Sequence, residues 1–439
     1  MGRVVVIGAG VTGLRAARRL AEAGADVQVL EAEAEPGGLC RSVRLDGCLF
    51  DLGPHFIHDV TARRIGLEDA CVPVMLFEAI RLGGRSYQFP FGLLARPRYL
   101  PPLALAYARR LLRGLPEGSL EARLRGAYGA AFYDEVMAPL LGKWLGAELA
   151  EISPVLARRF DPPDPRVLLF HLKVRLLRRH SDYFHQQRQY VYPQGGMAAL
   201  VARMAAGLDV RGNARVERIL VDAGRVRGVR VGGATVACDA VVSTAPAGDL
   251  TGLLAGAAGA PRGLVTTRGV VFVLMVFDQP RVTRHLWTWF PEPRAPLYRL
   301  SEMPNLAPTR AGRQAAGWPA VVRDAAPAGA TAVMAEICVG ADDPRWSPAS
   351  DAALVAECVA RVQAEYGVRG APRATRVMRA AGAYPGFRLD ERAAWEHPAQ
   401  LGIAGLVVAG RAAEHRYYMV EHALDAGERA AREVLAARR

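Results

Sequence analysis

The stretch VVVIGAGVTGLRAARRL, Val4 to Leu20, decides the fold. Arg3 to Ile7 is a short β-branched apolar run of the kind that forms a strand buried on both faces. Gly8, Gly10 and Gly13 follow as GxGxxG, and helical spacing continues from Leu14 to Ala23. The first glycine permits the tight turn, the second lets backbone approach a pyrophosphate, and the third lets helix and strand pack closely. The helix start then offers unpaired N–H groups and a positive dipole end to phosphate.

The next strand, ADVQVLEAE, carries Glu31, 18 residues after Gly13. An acid at that distance suits the ribose hydroxyls of a dinucleotide and disfavours a 2′-phosphate. The glycine loop alone leaves NAD and FAD open. The following segment, AEAEPGGLCRS, adds Pro36-Gly37-Gly38 and then Arg41-Ser42, bare backbone for a long ligand. This Gly-Gly plus Arg-Ser element resembles the second FAD motif of the amine-oxidase superfamily.

The resemblance runs in order along the chain. DLGPHFIHD (Asp51 to Asp59), YQFPFGL (Tyr87 to Leu93) and PLLGKWLG (Pro139 to Gly146) are similar to segments of the UDP-galactopyranose mutase and protoporphyrinogen-oxidase-like branch. So are YVYPQGGMAALVARM (Tyr190 to Met204), LYRLSEMPN (Leu297 to Asn305) and the closing LVVAGRAAEHRYYMVEHALDAGERAA (Leu406 to Ala431). The resemblance implies an α/β fold: a Rossmann-type (GR2-like) FAD-binding domain assembled from separated pieces at 1–75, 190–250 and 375–439. A mainly helical insert at 76–189 and a substrate-domain sheet at 251–374 complete it. Ala214 to Pro246 alternates with period two between Gly and Asp turns, as a β-meander ending in a returning Rossmann strand. A helix is expected near Asp351 to Tyr366, another opening at Ser119 as its N-cap, and a closing helix from about Glu421 to Arg438.

The resemblance also implies a cofactor set: Gly8, Gly10, Thr12, Gly13, Glu31, Ala32, Gly38, Leu39, Arg41, Gly53, Pro54, His55, Val216, Gly410, Arg411, Val420 and Glu421. Val216 would touch the adenine through its backbone. The closing helix would point its N-terminus at the flavin pyrimidine, where its N–H groups favour negative charge. For catalysis the same resemblance offers His55 and His58 for proton transfer or a hydrogen bond near the flavin. It offers Arg299 for an anionic substituent, since a guanidinium fork binds two oxygens at once, and Tyr417 to line the substrate face.

Two departures separate the chain from a true mutase. Where the mutases hold an arginine in a D-R-Y-F run, this chain reads Ser181-Asp182-Tyr183-Phe184. Where they end in YRYxDMD, it reads HRYYMVE, with His415, Met419 and Glu421 at the changed positions. The lysine that fixes a water at N5 in ordinary amine oxidases also has no counterpart, because Lys143 and Lys173 both fall in the helical insert.

The expected activity is therefore an FAD-dependent oxidoreductase. A hydride would pass from a small organic substrate, one carrying an anionic group, to flavin N5, and oxygen or another external acceptor would reoxidise the flavin. The alternative is a non-redox sugar-nucleotide mutase that uses reduced flavin N5 as a nucleophile; a third reading is a flavoprotein kept as a partner or scaffold. No second GxGxxG, zinc spacing, P-loop or GxSxG element is present.

Composition agrees with a large core: 439 residues, 51% hydrophobic. The net charge of +13 comes from 56 basic residues of which only Lys143 and Lys173 are lysine. It is spread along the chain rather than blocked, so neither nucleic acid nor a basic tail is implied. The Arg109 to Arg113 run and Val174 to His180 could touch a membrane surface, with a solvated helix face the favoured reading. No uncharged apolar run of about 18 residues occurs. The six cysteines form no CxxC and read as reduced thiols. With the nucleotide loop at the N-terminus and no preceding signal segment, a cytoplasmic location is expected.

Overall fold

The computed structural model describes residues 2–74, 76, 78–160, 164–176, 190–255, 266–306, 325–340, 342–390, 402–411, 413–414 and 419–437. Val4–Ile7 is a fully buried strand at the middle of a five-stranded parallel sheet. The order is Asp209–Arg211, Val27–Leu30, Val4–Ile7, Ala240–Ser243, Leu406–Val408. Pieces far apart in sequence thus lie side by side, with Val4 opposite both Val27 and Ala240, and Val241 opposite Leu406. The first helix, Val11–Glu22, lays Val11, Leu14, Ala17 and Leu20 onto this sheet.

The closing helix, Val420–Ala436, crosses the first at very short range. A Cβ on Gly427 would sit 2.4 Å from the carbonyl oxygen of Thr12 and 3.0 Å from the amide nitrogen of Ala16. Only glycine lets the two helices approach so closely, and Arg15 with Glu428 clamps the crossing by an ion pair.

The expected meander is present as Val216–Asp222, Arg225–Val231 and Ala234–Ala237. Its hairpins turn on Ala223-Gly224 and Gly232-Gly233, all four with positive φ. Two consecutive positive φ values match the twist of the flanking strands.

A second, seven-stranded sheet has the order Ala374–Pro385, Thr267–Phe277, Thr331–Val339, Arg299–Glu302, Trp287–Trp289, Glu78–Leu82, Arg85–Gln88. Both faces are covered. Val271, Val273 and Met275 pack on Leu354, Cys358 and Val362 of the helix Asp351–Tyr366, which has the expected bounds. Val270, Phe272, Leu274 and Val276 face the helical insert. The sheet is wider than expected. It takes two strands from the start of the insert, and its edge strand Ala374–Pro385 runs past the boundary expected at 375, because that strand pairs with Thr267–Phe277 along nearly its whole length.

In the insert, Ser119 caps Leu120–Tyr128, its Oγ accepting from the amide of Ala122 at 3.2 Å. Leu120–Tyr128 ends at Gly129, where φ is +82° and a Cβ would lie 2.7 Å from the Pro102 carbonyl. None of the six cysteines forms a disulfide; five are buried and Cys71 is partly so.

Candidate functional site: a dinucleotide cleft that opens on an aromatic cavity

The glycine loop is built as its spacing predicts. A Cβ on Gly13 would lie 2.0 Å from the carbonyl oxygen of Gly8, so helix and strand touch there. Gly8 has φ +95°. At Gly10 a Cβ would meet nothing within 4 Å; the position faces open space. Gly37 docks on this loop, its amide donating to Ala9 O at 2.8 Å. Glu31 braces the loop from the other side, with Oε2 accepting from Ala9 N at 2.7 Å and Oε1 from Glu33 N at 3.0 Å.

A cleft of about 200 Å³ runs from here between Gly10, Val11, Thr12, Leu39, Gly410 and Arg411 to Met419 and Val420. The N-termini of the first and closing helices therefore face the same space, a doubly favourable setting for anionic or electron-rich groups. Glu421, in the first turn of the closing helix, does not line the cleft. Its Oε1 accepts from the backbone amide of His58 at 3.0 Å, tying that helix to the GPHxxH loop.

A cavity of about 80 Å³ continues from the cleft, sharing with it Leu39, His55, Ala383, Arg411, Met419 and Val420. Its walls are Leu52, Gly53, Pro54, Phe56, Val270, Phe272, Trp287, Trp289, Arg299, Glu336 and Tyr384. Sheet register assembles one side of it. Phe272 lies opposite Glu336, Glu336 opposite Arg299, and Arg299 opposite Trp289, so one row across four strands makes the wall. Arg299 donates from Nε to Glu336 Oε1 at 2.7 Å and from Nη2 to Oε2 at 2.6 Å. Tyr298 and Ser301 hydroxyls also reach Glu336, at 3.0 and 3.2 Å. The Arg299 guanidinium sits over the Trp289 ring, 5.0 Å from its centroid. The indole N–H groups of Trp287 and Trp289 both donate to Glu78 Oε2, at 2.9 and 3.1 Å.

This arrangement corrects the expected anion clamp. Arg299 does reach the cavity, but Glu336 already takes both prongs of its fork, so the pair presents no net charge. His55 also reaches it, with Nδ1 buried and without a partner among the described residues. Burial first, then the charges of Arg411 and Arg299, lower its pKa to about 3. The neutral form is thereby favoured at ordinary pH. His58 lines neither cavity; its ring packs on Tyr190 with centroids 4.9 Å apart. Arg41 turns to its own loop, Nε donating to Gly38 O at 3.0 Å. Arg411 donates to Ala383 O at 3.3 Å beside Tyr384. Val216 is buried at the start of the meander, two residues beyond Ala214, whose amide donates to Glu31 O at 2.7 Å. Ala32 follows Glu31 in the half-exposed bend after its strand. Tyr417 and the run Ser181 to Phe184 lie outside the described residues.

Lys143 is structural: its ammonium donates to the carbonyls of Phe290 (2.8 Å), Glu292 and Leu297, and burial lowers its pKa to about 8. Sequence reading missed Glu336, Trp287, Trp289, Glu78 and Tyr384. A signal existed for one of them: Glu336 is the single charge in the nine-residue strand TAVMAEICV.

With this geometry the chain can be placed. It belongs to the family of flavin containing amine oxidoreductases, which it matches over residues 11–435. The cofactor that goes with this family is a flavin. The zeta-carotene-forming phytoene desaturase of Myxococcus xanthus is 31% identical over 296 residues, 55% of this chain and 53% of that protein. The hydroxyneurosporene desaturase of Rubrivivax gelatinosus is 30% identical over 306 residues, 59% and 55% of the two chains. The chain thus spans about half the length of these curated relatives. Reduced UDP-galactopyranose mutase shares the fold, with a TM-score of 0.78 at 21% identity over 99% of this chain and 96% of that one. No helix among the described residues is long and apolar enough to cross a membrane.

Proposed function

We propose that the chain dehydrogenates an apolar, uncharged substrate, an alkene or polyene hydrocarbon chain, held in the aromatic cavity. The observation that carries this is the Arg299–Glu336 pair: the cation expected to hold an anion is already neutralised, and Phe, Trp, Val and Leu side chains make up much of the rest of the wall, beside His55, Tyr384 and Arg411. The similarity to two carotenoid desaturases supports the same substrate class. The same pairing makes Arg299 a poor holder of a nucleotide-sugar diphosphate.

FAD fits the cleft. Gly10 leaves open space where a pyrophosphate would pass, and His55 Nδ1 waits unpartnered at the far end. Gly8, Gly10, Thr12 and Gly13 would hold the phosphates. Glu31 and Ala32 would meet the ribose and Val216 the adenine. Gly38, Leu39, Arg41, Gly53, Pro54, Gly410, Arg411 and Val420 would line the path to the flavin, with Glu421 fixing the His58 loop. When bound, FAD would supply a two-electron acceptor for the hydride of a substrate C–H bond, while the proton of the neighbouring carbon would leave to solvent water as the C=C bond forms. An external acceptor such as oxygen then takes the electrons.

The chain's own part is to position and to exclude water. Trp287 and Trp289, fixed through Glu78, add aromatic surface to the wall that an apolar chain would meet. His55, held neutral, donates or accepts a hydrogen bond without adding a charge to the cavity. The test is product analysis: FAD-loaded protein incubated in air with a partly saturated acyclic isoprenoid hydrocarbon should release a product lighter by two hydrogens. Unchanged hydrocarbon across a panel of chain lengths would sink the reading.

A further inference from the structure

The helical insert carries an outer face that a solvated helix would not have. In Leu100–Arg113, Leu103 and Ala106 are buried, and the opposite side should be polar. It instead exposes Ala104, Leu105, Ala108, Leu111 and Leu112, with Leu111 at 69% and Leu112 at 84% of full exposure. Arg109, Arg110 and Arg113 edge this face, and the helix has no acidic residue. The helix Pro165–Leu176 repeats the pattern: Arg166, Leu169, Lys173 and Leu176 are exposed at helical spacing, again with no acid. Five of the seven large apolar side chains that stand out into solvent among the described residues lie on these two helices. The helices are also linked: the first continues from Phe91–Tyr99, and the second packs against Phe91–Leu94.

We propose that this face docks the protein on an anionic lipid surface. Leucines enter the acyl boundary while the arginines and Lys173 meet the headgroups, the division of labour of an interfacial amphipathic helix. Charge complementarity selects this occupant: with cations and no carboxylate on either helix, the face attracts an anionic surface and repels its own copy. Docking there would also bring an apolar substrate's source to the insert that covers one face of the cavity sheet.

The experiment is vesicle flotation of the FAD-loaded full chain, with phosphatidylcholine alone and with phosphatidylcholine mixed with phosphatidylglycerol. The protein should float with the mixed vesicles only, and less as salt is raised. L111D/L112D should weaken binding by at least about tenfold, and R109E/R113E should abolish the anionic preference, both with unchanged flavin spectra. Equal flotation of wild type and both variants overturns the proposal, as does no flotation at all. So does a dimer in light scattering that L111D/L112D dissociates without any vesicle binding, which would make the face an interface between copies.

Discussion

Arg299 and Glu336 sit directly opposite each other on neighbouring antiparallel strands and form a two-point ion pair at 2.7 and 2.6 Å inside the cavity. Glu336 is 1% exposed, so water does not relieve its charge. Removing one partner of such a pair strands the other. Glu336→Gln should cost about 3–5 kcal/mol of stability, while the double change Arg299→Met with Glu336→Met should recover most of it. Denaturant unfolding of the three proteins reads this directly. A Glu336→Gln protein as stable as wild type would show that the guanidinium finds water or another anion.

The two helical glycine-loop positions separate cofactor binding from folding. Gly10→Ala adds a methyl to open space, so the cofactor-free protein should melt as wild type does while FAD titration shows strongly weakened binding. Gly13→Ala drives a methyl against Gly8 O and should destabilise the protein itself by about 1–3 kcal/mol. Thermal melts with and without FAD distinguish the two, and a Gly10→Ala protein that binds FAD normally would remove the cleft assignment.

His55 predicts an acid-side loss of stability. Its folded pKa is lowered to about 3 from 6.5. Between these values the unfolded chain binds a proton that the folded chain refuses, so the contribution is fully present above pH 6.5 and declines as pH falls toward 3. Asp51 and Glu302, both raised to about 6 by burial, act with the opposite sign. The comparison must therefore be wild type minus His55→Gln. That difference should be flat above pH 6.5 and shrink steadily below it; a flat difference throughout would mean that His55 takes up its proton as readily in the folded chain as in the unfolded one.

The nucleotide half was legible because its signals are local. Gly8, Gly10, Gly13 and Glu31 lie within one strand–turn–helix–strand unit, and the spacing alone places them. Gly427 belongs to the same contact but was silent, since its partner Thr12 lies at the other end of the chain. The substrate half is written across strands. Phe272, Glu336, Arg299 and Trp289 come from four separated segments, and only register brings them into one row. Arg299 was found as a candidate, but the charge that cancels it was 37 residues away. The close approach of Gly129 to Pro102 was equally silent, since the two lie on different segments of the insert.

The central claim is that bound FAD takes electrons from an uncharged, apolar substrate in this cavity. The most direct test is the absorbance of the oxidised holoprotein, mixed without oxygen with a partly saturated acyclic polyene and, separately, with UDP-galactopyranose. The account predicts that the polyene bleaches the oxidised-flavin band, that admitting oxygen restores it, and that the sugar nucleotide does neither. A band untouched by the hydrocarbon, with sugar interconversion appearing only after dithionite reduction, would contradict it.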